Sequence, residues 1–372
     1  INHPWVARSD VGYLVYEYQA IRDLLQQDDK LEISMNEIVA AMNAHNTRWG
    51  TFMDQLMINQ KGEVHRRLRS SVANAFTPRR VNQHRQLIRE TVSDLLDDWV
   101  PLEGFDFAEF AENFPIRVMC RIIGASPEVV PQIRDALEAQ GLSFSMDSTL
   151  FPELKKGIDV MFDFVDNLVS QRETDGTSGG GDLLDDLLGS KKNGLMTDYE
   201  LKILLIFLFG AGYDTSKNML TLIMYEMFGR HEIWDRCADS LEFARKVTTE
   251  TFRYHAVSNV PRTVTADIEY RNVLIPKGTN LQFILTLAGR DPSVFSDPDD
   301  FQPERATSRN HIAFGLGSHI CLGQFLARAQ IEEAVHLIAK RLRNPELVGE
   351  VTWRPFVGVW GIKSLPIRFT SA

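Results

Sequence analysis

Cys321 is one of only three cysteines in the 372-residue chain, and it lies in the stretch His311–Gln330, HIAFGLGSHICLGQFLARAQ. A helix-like run follows it. A thiol just ahead of a helix start is near free backbone N–H groups and the positive end of the helix dipole, and both favour the thiolate. Gly317 and Gly323 permit a tight turn and the close approach of something large. A thiolate at the mouth of such a loop can ligate iron. The same residues also suit a buried structural cysteine in a glycine-rich turn. A phosphate-cradling loop is disfavoured, because its Lys-Ser/Thr ending is missing.

Three further groups carry chemical potential. In FGAGYDTSKN (Phe209–Asn218) the small residues Gly210, Ala211 and Gly212 interrupt a long apolar helix, where each glycine costs about 1 kcal/mol relative to alanine. They let a bulky group lie against the helix, and Thr215 can bend it by bonding back to a carbonyl. Asp214 and Thr215 together suit proton delivery to a buried site, although a packing notch beside a solvent-facing aspartate has the same spelling. Glu250 and Arg253 share a helix face at i, i+3 and can pair, buried or on the surface. His65 and Arg69, at i, i+4, can grip an anion together or belong to a solvated basic face.

The elements that must position these residues are mostly helical. DLLDDWV, VMFDFVDNLVSQR, YELKILLIFLFGAGYDTSKNMLTLIMYEMF and FLARAQIEEAVHLIAKRL all space apolar residues at helical intervals. Strand-like segments are short: Val11–Tyr18, Thr265–Phe283 with a hairpin or sheet corner at Pro276–Gly278, and Ser364–Phe369. The expected fold is mainly α with small β-sheets. The α-rich regions fall at about 60–255 and 323–345, and the β-rich ones at about 11–35, 263–285 and 350–369. Glu173–Asp182 (ETDGTSGGGD) reads as a flexible surface loop within one core rather than a boundary, so a single domain over 1–372 is expected. Ala288–Arg305 carries three Asp-Pro or Gln-Pro steps and little periodicity, the mark of a clamped or functional meander.

Composition narrows the class. A net charge of −10 argues against nucleic acid or an anionic membrane as partner. Dispersed cysteines without a CxxC pair suit a reducing compartment and give no zinc or iron–sulfur site. The run Ile203–Tyr213 is too short to span a bilayer and enters Asp214 and Lys217. The first residues show no signal segment, so a cytoplasmic protein is expected, and the early first strand suggests a trimmed N-terminus.

Taken in order, these groups resemble one family. Phe314-x-x-Gly317-x-x-x-Cys321-x-Gly323 resembles the haem-binding loop of the cytochromes P450, and Ala211-Gly212-Tyr213-Asp214-Thr215 resembles their oxygen-activating helix motif. Glu250-x-x-Arg253 and Phe301-Gln302-Pro303-Glu304-Arg305 are similar to the family's buried helix pair and meander arginine. HRRLRSSVANAFTPRRV and PKGTNL extend the likeness from about Gly12 to Phe369. One stretch departs from it: where bacterial members have Asp-Pro-Pro-Glu before the helix of His65, this chain has NQKGE, Asn59–Glu63.

The resemblance implies a single triangular-prism-like domain with a long central helix and bound haem b. Cys321 is then the proximal iron ligand, Phe314 its shield, and the backbone beyond Cys321 tempers its charge. His65, Arg69, Arg262 and His319 hold the two propionates, while Gly315, Gly323, Ala211 and Gly212 flank the haem. Glu250, Arg253 and Arg305 form a structural charge network, and Asp214 and Thr215 relay protons during oxygen activation. The implied reaction inserts one atom of O2 into a small-to-medium hydrophobic substrate, by hydroxylation or epoxidation. The pocket is expected to include Phe207, Val257, Asn259, Val260, Val359 and Trp360, with Asn259 a polar anchor. Electrons are expected from an acidic 2Fe–2S ferredoxin and its NAD(P)H-dependent reductase. The ferredoxin would dock on Arg66, Arg67, Arg79 and Arg80, with Arg328 on the same side. The protein is expected to be a monomer, without nucleic-acid or membrane partners. A peroxide-driven peroxygenase and a non-catalytic haem sensor are the alternatives; the presence of both Asp214 and Thr215 argues for the O2 route.

Overall fold

The computed structural model describes residues 3–10, 12–145, 147–176, 181–354 and 358–371. Val11, Met146, Val357 and the glycine-rich part of Glu173–Asp182 lie outside them. The architecture is organised by one helix, Asp198–Met227, 30 residues long. Its start is a capping box: Glu200 N–H donates to Thr197 Oγ1 at 3.1 Å and Thr197 N–H to Glu200 Oε2 at 2.8 Å. The apolar residues that follow surround the helix instead of striping it, so it can only be stable inside other elements. It packs against helices Phe107–Ile123, Val130–Gly141, Phe151–Asp175, Leu241–Tyr254 and Gln324–Arg341.

The β structure is small, as expected. A five-stranded sheet runs in the order Val6–Ser9, Gly12–Val15, Asn280–Phe283, Val260–Val264, Leu31–Glu32. Its second and third strands are parallel and the other neighbours antiparallel. The helix Tyr18–Leu25 interrupts the region read as β-rich near the start. The tight hairpin in 263–285 is not at Pro276–Gly278. It turns at Arg271 and Asn272, both with positive φ (49° and 62°), between strands Ile268–Tyr270 and Val273–Ile275. A two-residue loop with both central residues left-handed matches the twist of its strands. Arg271 tolerates the turn with its side chain held by Glu17 at 2.6 Å. Gly278, at φ 85°, makes the second bend.

The helix Leu241–Tyr254 carries the Glu250–Arg253 pair, and both side chains are fully buried, which removes the surface-pair alternative. Arg253 donates to Glu250 through Nε (2.9 Å) and Nη2 (2.6 Å). Arg305 Nε approaches the same carboxylate at 3.3 Å, joined by Ser308 Oγ at 2.5 Å and the Gln302 N–H at 2.9 Å. The remaining guanidinium N–H groups reach carbonyls of the meander: Arg253 those of Gly289, Pro298 and Asp300, and Arg305 those of Ser296, Asp297 and Asp300. Gly289 is required here because a Cβ would overlap the Arg253 carbonyl.

Removing one partner of such a cluster leaves a buried unpaired charge. Glu250→Gln should therefore lower unfolding stability by about 3–5 kcal/mol, read from the urea midpoint. Glu304→Gln, which loses only exposed contacts to Arg236 at 3.0 Å and Lys246 at 3.6 Å, should leave the midpoint in place.

Candidate functional site

The residues read from the sequence as chemical converge between the central helix and the cysteine turn. Three cavities of about 210, 200 and 300 Å³ meet there, and Thr215 and Cys321 line all three. A larger groove of about 470 Å³ lies over the five-stranded sheet but touches only Arg262 of the candidate residues.

The turn before Cys321 is built by Gly315 and Gly317, at φ 69° and 76°, and the Cys321 N–H closes it on the Phe314 carbonyl at 2.9 Å. The glycines serve different purposes. A Cβ on Gly317 would stand 2.6 Å from the Leu25 carbonyl and 2.8 Å from Asp28 Oδ1, so this glycine clears the neighbouring chain, not a ligand. A Cβ on Gly315 would have only Val260 within reach, at 3.9 Å, and one on Gly323 would meet nothing within 4 Å. The helix Gln324–Arg341 starts behind the thiol as expected. The thiolate does not follow from that alone. Burial pushes the Cys321 thiol up, and the Gly323 N–H and Arg69 only partly oppose it. Cys321 opens onto the cavity, and a cation bound at the sulfur would favour its charged form.

Across the cavity, Ala211 presents exposed surface to it, while Gly212 is a packing notch whose Cβ would fall 2.7 Å from Met119 Sδ. Thr215 Oγ1 donates to the Ala211 carbonyl at 2.9 Å, the back-bond expected to bend the helix. Asp214 is buried, not solvent-facing. Its Oδ1 accepts from Asn218 Nδ2 at 3.0 Å and from Arg354 Nη1 at 2.5 Å, while Oδ2 has no partner. Arg354 also stands 3.9 Å from Glu138, which pairs with Lys217 and accepts from the Tyr213 hydroxyl at 3.1 Å. Lys217 is in turn 3.9 Å from Glu112. Burial raises the Asp214 pKa against the pull of Arg354 and Lys217, so its protonated form is favoured relative to a free aspartate. Arg354, 140 residues beyond Asp214, was not legible in the sequence, for no local pattern marks it.

On the edge of the cavity nearest the sheet, four donors gather without carboxylate partners among the described residues. The His65 and His319 rings are 4.2 Å apart, and His65 Nε2 and His319 Nδ1 are buried and unpartnered. Arg69 donates to the Ile320 carbonyl at 2.6 Å and Arg262 to its neighbour Pro261 at 2.8 Å. Burial lowers all four pKa values, His319 to about 4 and Arg262 to about 10. The altered lead-in changes little: the helix begins at Gly62 and still delivers His65 to this group. A flat ligand with two carboxylates at this edge would satisfy the orphaned nitrogens and relieve the desolvated cations, so the donor set fits haem.

The distal walls are apolar. Phe52, Met53, Phe144, Phe207 and Val359 line the largest of the three cavities. Gln140 is already committed, accepting from Trp49 Nε1 at 2.9 Å and donating to the Leu154 carbonyl at 2.8 Å. Val257 and Val260 line the cavity beside Phe314. Asn259 and Trp360 line none of the three. Asn259 Oδ1 is buried without a partner, and Trp360 donates to the Ala256 carbonyl at 2.7 Å.

The family model described as Cytochrome P450 matches residues 8–345. Luteothin monooxygenase of Streptomyces thioluteus is 34% identical, covering 99% of this chain and 91% of its own length. The 20-oxo-5-O-mycaminosyltylactone 23-monooxygenase of Streptomyces fradiae is 28% identical over 82% of this chain and 72% of its own. Among solved structures, CalO2 superposes with a TM-score of 0.89 at 22% identity (99% of this chain, 93% of that one). Epothilone B-bound P450epoK gives 0.88 at 23% (99% and 94%), and at these identities both likenesses show the fold. Among the described residues, no helix is long and apolar enough to cross a membrane.

Burial lowers the pKa of His65 and brings that of His311 to about 3, against 6.5 when free. A depressed histidine contributes stability above its unfolded pKa and loses it as pH falls toward the folded value. The melting temperature of the haem-free chain should therefore drop between about pH 7 and pH 5. The drop should be smaller after haem loading, since a carboxylate at His65 raises its pKa; circular dichroism melts of both forms check this.

Proposed function

This chain belongs to the cytochrome P450 family, whose members bind haem b and use O2, and on that premise we propose which of its residues perform the monooxygenase reaction and on what. The observation that carries the assignment is the convergence of all three cavities on Thr215 from one side and Cys321 from the other. Cys321 holds the iron, with Phe314 against it. His65, Arg69, Arg262 and His319 hold the propionates. The whole chain is one catalytic domain, a reading supported by an apolar core that draws residues from Met35 to Phe369.

Bound haem supplies the activation of O2, and the chain governs protons, water and orientation. Overall, two electrons and two protons are consumed, one oxygen atom enters the substrate, and the other leaves as water. Asp214 holds a proton at the cavity wall, its free Oδ2 unpartnered and its position fixed by Arg354 and Asn218. Thr215, its hydroxyl held on the Ala211 carbonyl, carries that proton onward. The apolar wall of Phe52, Phe144, Phe207 and Val359 selects a hydrophobic substrate, hydroxylated or epoxidised at the carbon held over the site. Luteothin is the first compound to test, given the relative of that name.

Electrons come from a separate acidic 2Fe–2S ferredoxin with its reductase. The docking charge is smaller than the basic sequence suggests. Arg66 pairs with Glu63, Arg67 with Glu200 and Arg80 with Asp186, leaving Arg79 exposed without a carboxylate among the described residues.

The reduced, CO-bound protein should show the red-shifted Soret band of a thiolate ligand, and Cys321→Ala should abolish it; a variant that kept the band would remove Cys321 from the iron. Thr215→Ala should bind substrate with the same spin-state shift yet form product about 10²-fold more slowly. Reductant should still be consumed, with the electrons recovered as hydrogen peroxide.

A further inference from the structure

Arg328, marked from the sequence as a docking charge, is turned inward. Its guanidinium lies over the rings of Phe252 and Phe314, 5.3 and 5.2 Å from their centroids. Its Nη2 donates to His311 Nε2 at 2.6 Å. The two phenylalanine rings are 4.8 Å apart, and His311 stands 5.7 Å from each. Cation, imidazole and two rings thus form one packed cluster, and Phe252, Phe314 and Cys321 share a cavity wall.

The cluster carries a charge without a direct ion pair, Glu332 acting on it only at longer range. Among the described residues no carboxylate comes within ion-pair distance of Arg328. Glu332, one helical turn on, is already engaged by Arg85 at 2.6 Å and Arg245 at 3.5 Å. His311 cannot compensate, because burial and the neighbouring guanidinium keep it neutral, with a pKa of about 3. Burial lowers the Arg328 pKa, yet a guanidinium remains charged at any working pH. The aromatic faces offset part of the cost of desolvating this cation, and a negative charge in the neighbouring site would offset more. Cys321 adjoins Phe314: its N–H is bonded to the Phe314 carbonyl, and the two line the same cavity.

We propose that Arg328 is a positioning residue for the thiolate site: held by His311 and the two rings, with no ion pair to a carboxylate among the described residues, its charge stabilises the electron that enters the site and so raises the reduction potential. The argument rests on Cys321 being the iron ligand. The field acts through protein of low polarisability, where a charge is felt more strongly than across water. Charge and burial around a ligating sulfur are among the levers by which a protein sets such a potential.

The test uses the haem-loaded enzyme without its electron-donor protein. The parent is first checked for the thiolate-type CO band; its absence would refute the iron-ligand reading itself, separately from the role of Arg328. Midpoint potentials are then measured by dye-mediated spectroelectrochemistry. Arg328→Met should lower the potential, while Arg328→Lys stays close to the parent. His311→Glu, which places a carboxylate beside the intact guanidinium, should lower the potential as Arg328→Met does. It keeps the test open if the Met variant fails to take up haem. A parent-like potential in a haem-loaded Arg328→Met or His311→Glu variant overturns the proposal. So does an unchanged potential with slower reduction by ferredoxin, which would make Arg328 a docking residue.

Discussion

The carboxylate of Glu250 is the interaction on which the cysteine side of this molecule depends. It is fully buried and accepts from two guanidinium groups, a hydroxyl and a backbone N–H. Through Arg253 and Arg305 it also organises the meander, a stretch that cannot pair its carbonyls in a helix or sheet. The guanidinium N–H groups act as donors in place of a backbone ladder, which is how an irregular segment can be buried. Ser308, bonded to the same carboxylate, stands just before the loop that turns at Gly315 and Gly317 and ends at Cys321. The position of the sulfur is thus inherited from an ion cluster elsewhere in the fold.

The two sides of the cavity have opposite electrostatic habits. On the central helix, Asp214 is matched by Arg354 and Lys217, and Lys217 in turn by Glu138, so charges there are compensated within the chain. Along the other edge His65, His319, Arg69 and Arg262 are desolvated and make no ion pair with a carboxylate among the described residues; Asp28 acts on His65, His319 and Arg262 only at longer range, and each of the four titrates lower than it would in water. A compensated wall can hold and release a proton without disturbing the fold. An edge of desolvated donors without ion-pair partners gains stability from an anionic guest, which is why the fit to a dicarboxylate ligand is read from donors rather than from shape.

Much of this was legible before any coordinates. Spacing alone marked Cys321 ahead of a helix, Asp214 and Thr215 inside one, and Glu250 and Arg253 on one face, because helical periodicity converts sequence distance into a shared surface. What spacing left open was burial. The same three-residue interval describes a weak surface pair and the buried Glu250–Arg253 pair, and a glycine can clear a ligand or a neighbour. Gly317 and Gly212 serve neighbours, Leu25 and Met119 respectively, whereas Gly315 and Gly323 face open space. The family resemblance puts Trp360 in the pocket, yet its indole N–H is bonded to the Ala256 carbonyl and it lines none of the three cavities.

By itself the sequence determined the helical class, the family and which groups are candidates for the chemistry, since local pattern and motif order are properties of the chain. Tertiary structure decided which charges meet. Arg354 reaches Asp214 across 140 residues, and Arg328 turns from a surface position onto Phe252 and Phe314. The physical reason is that desolvation and Coulomb attraction depend on distance through space. No interval along the chain encodes that distance once it passes the few residues of a helical turn.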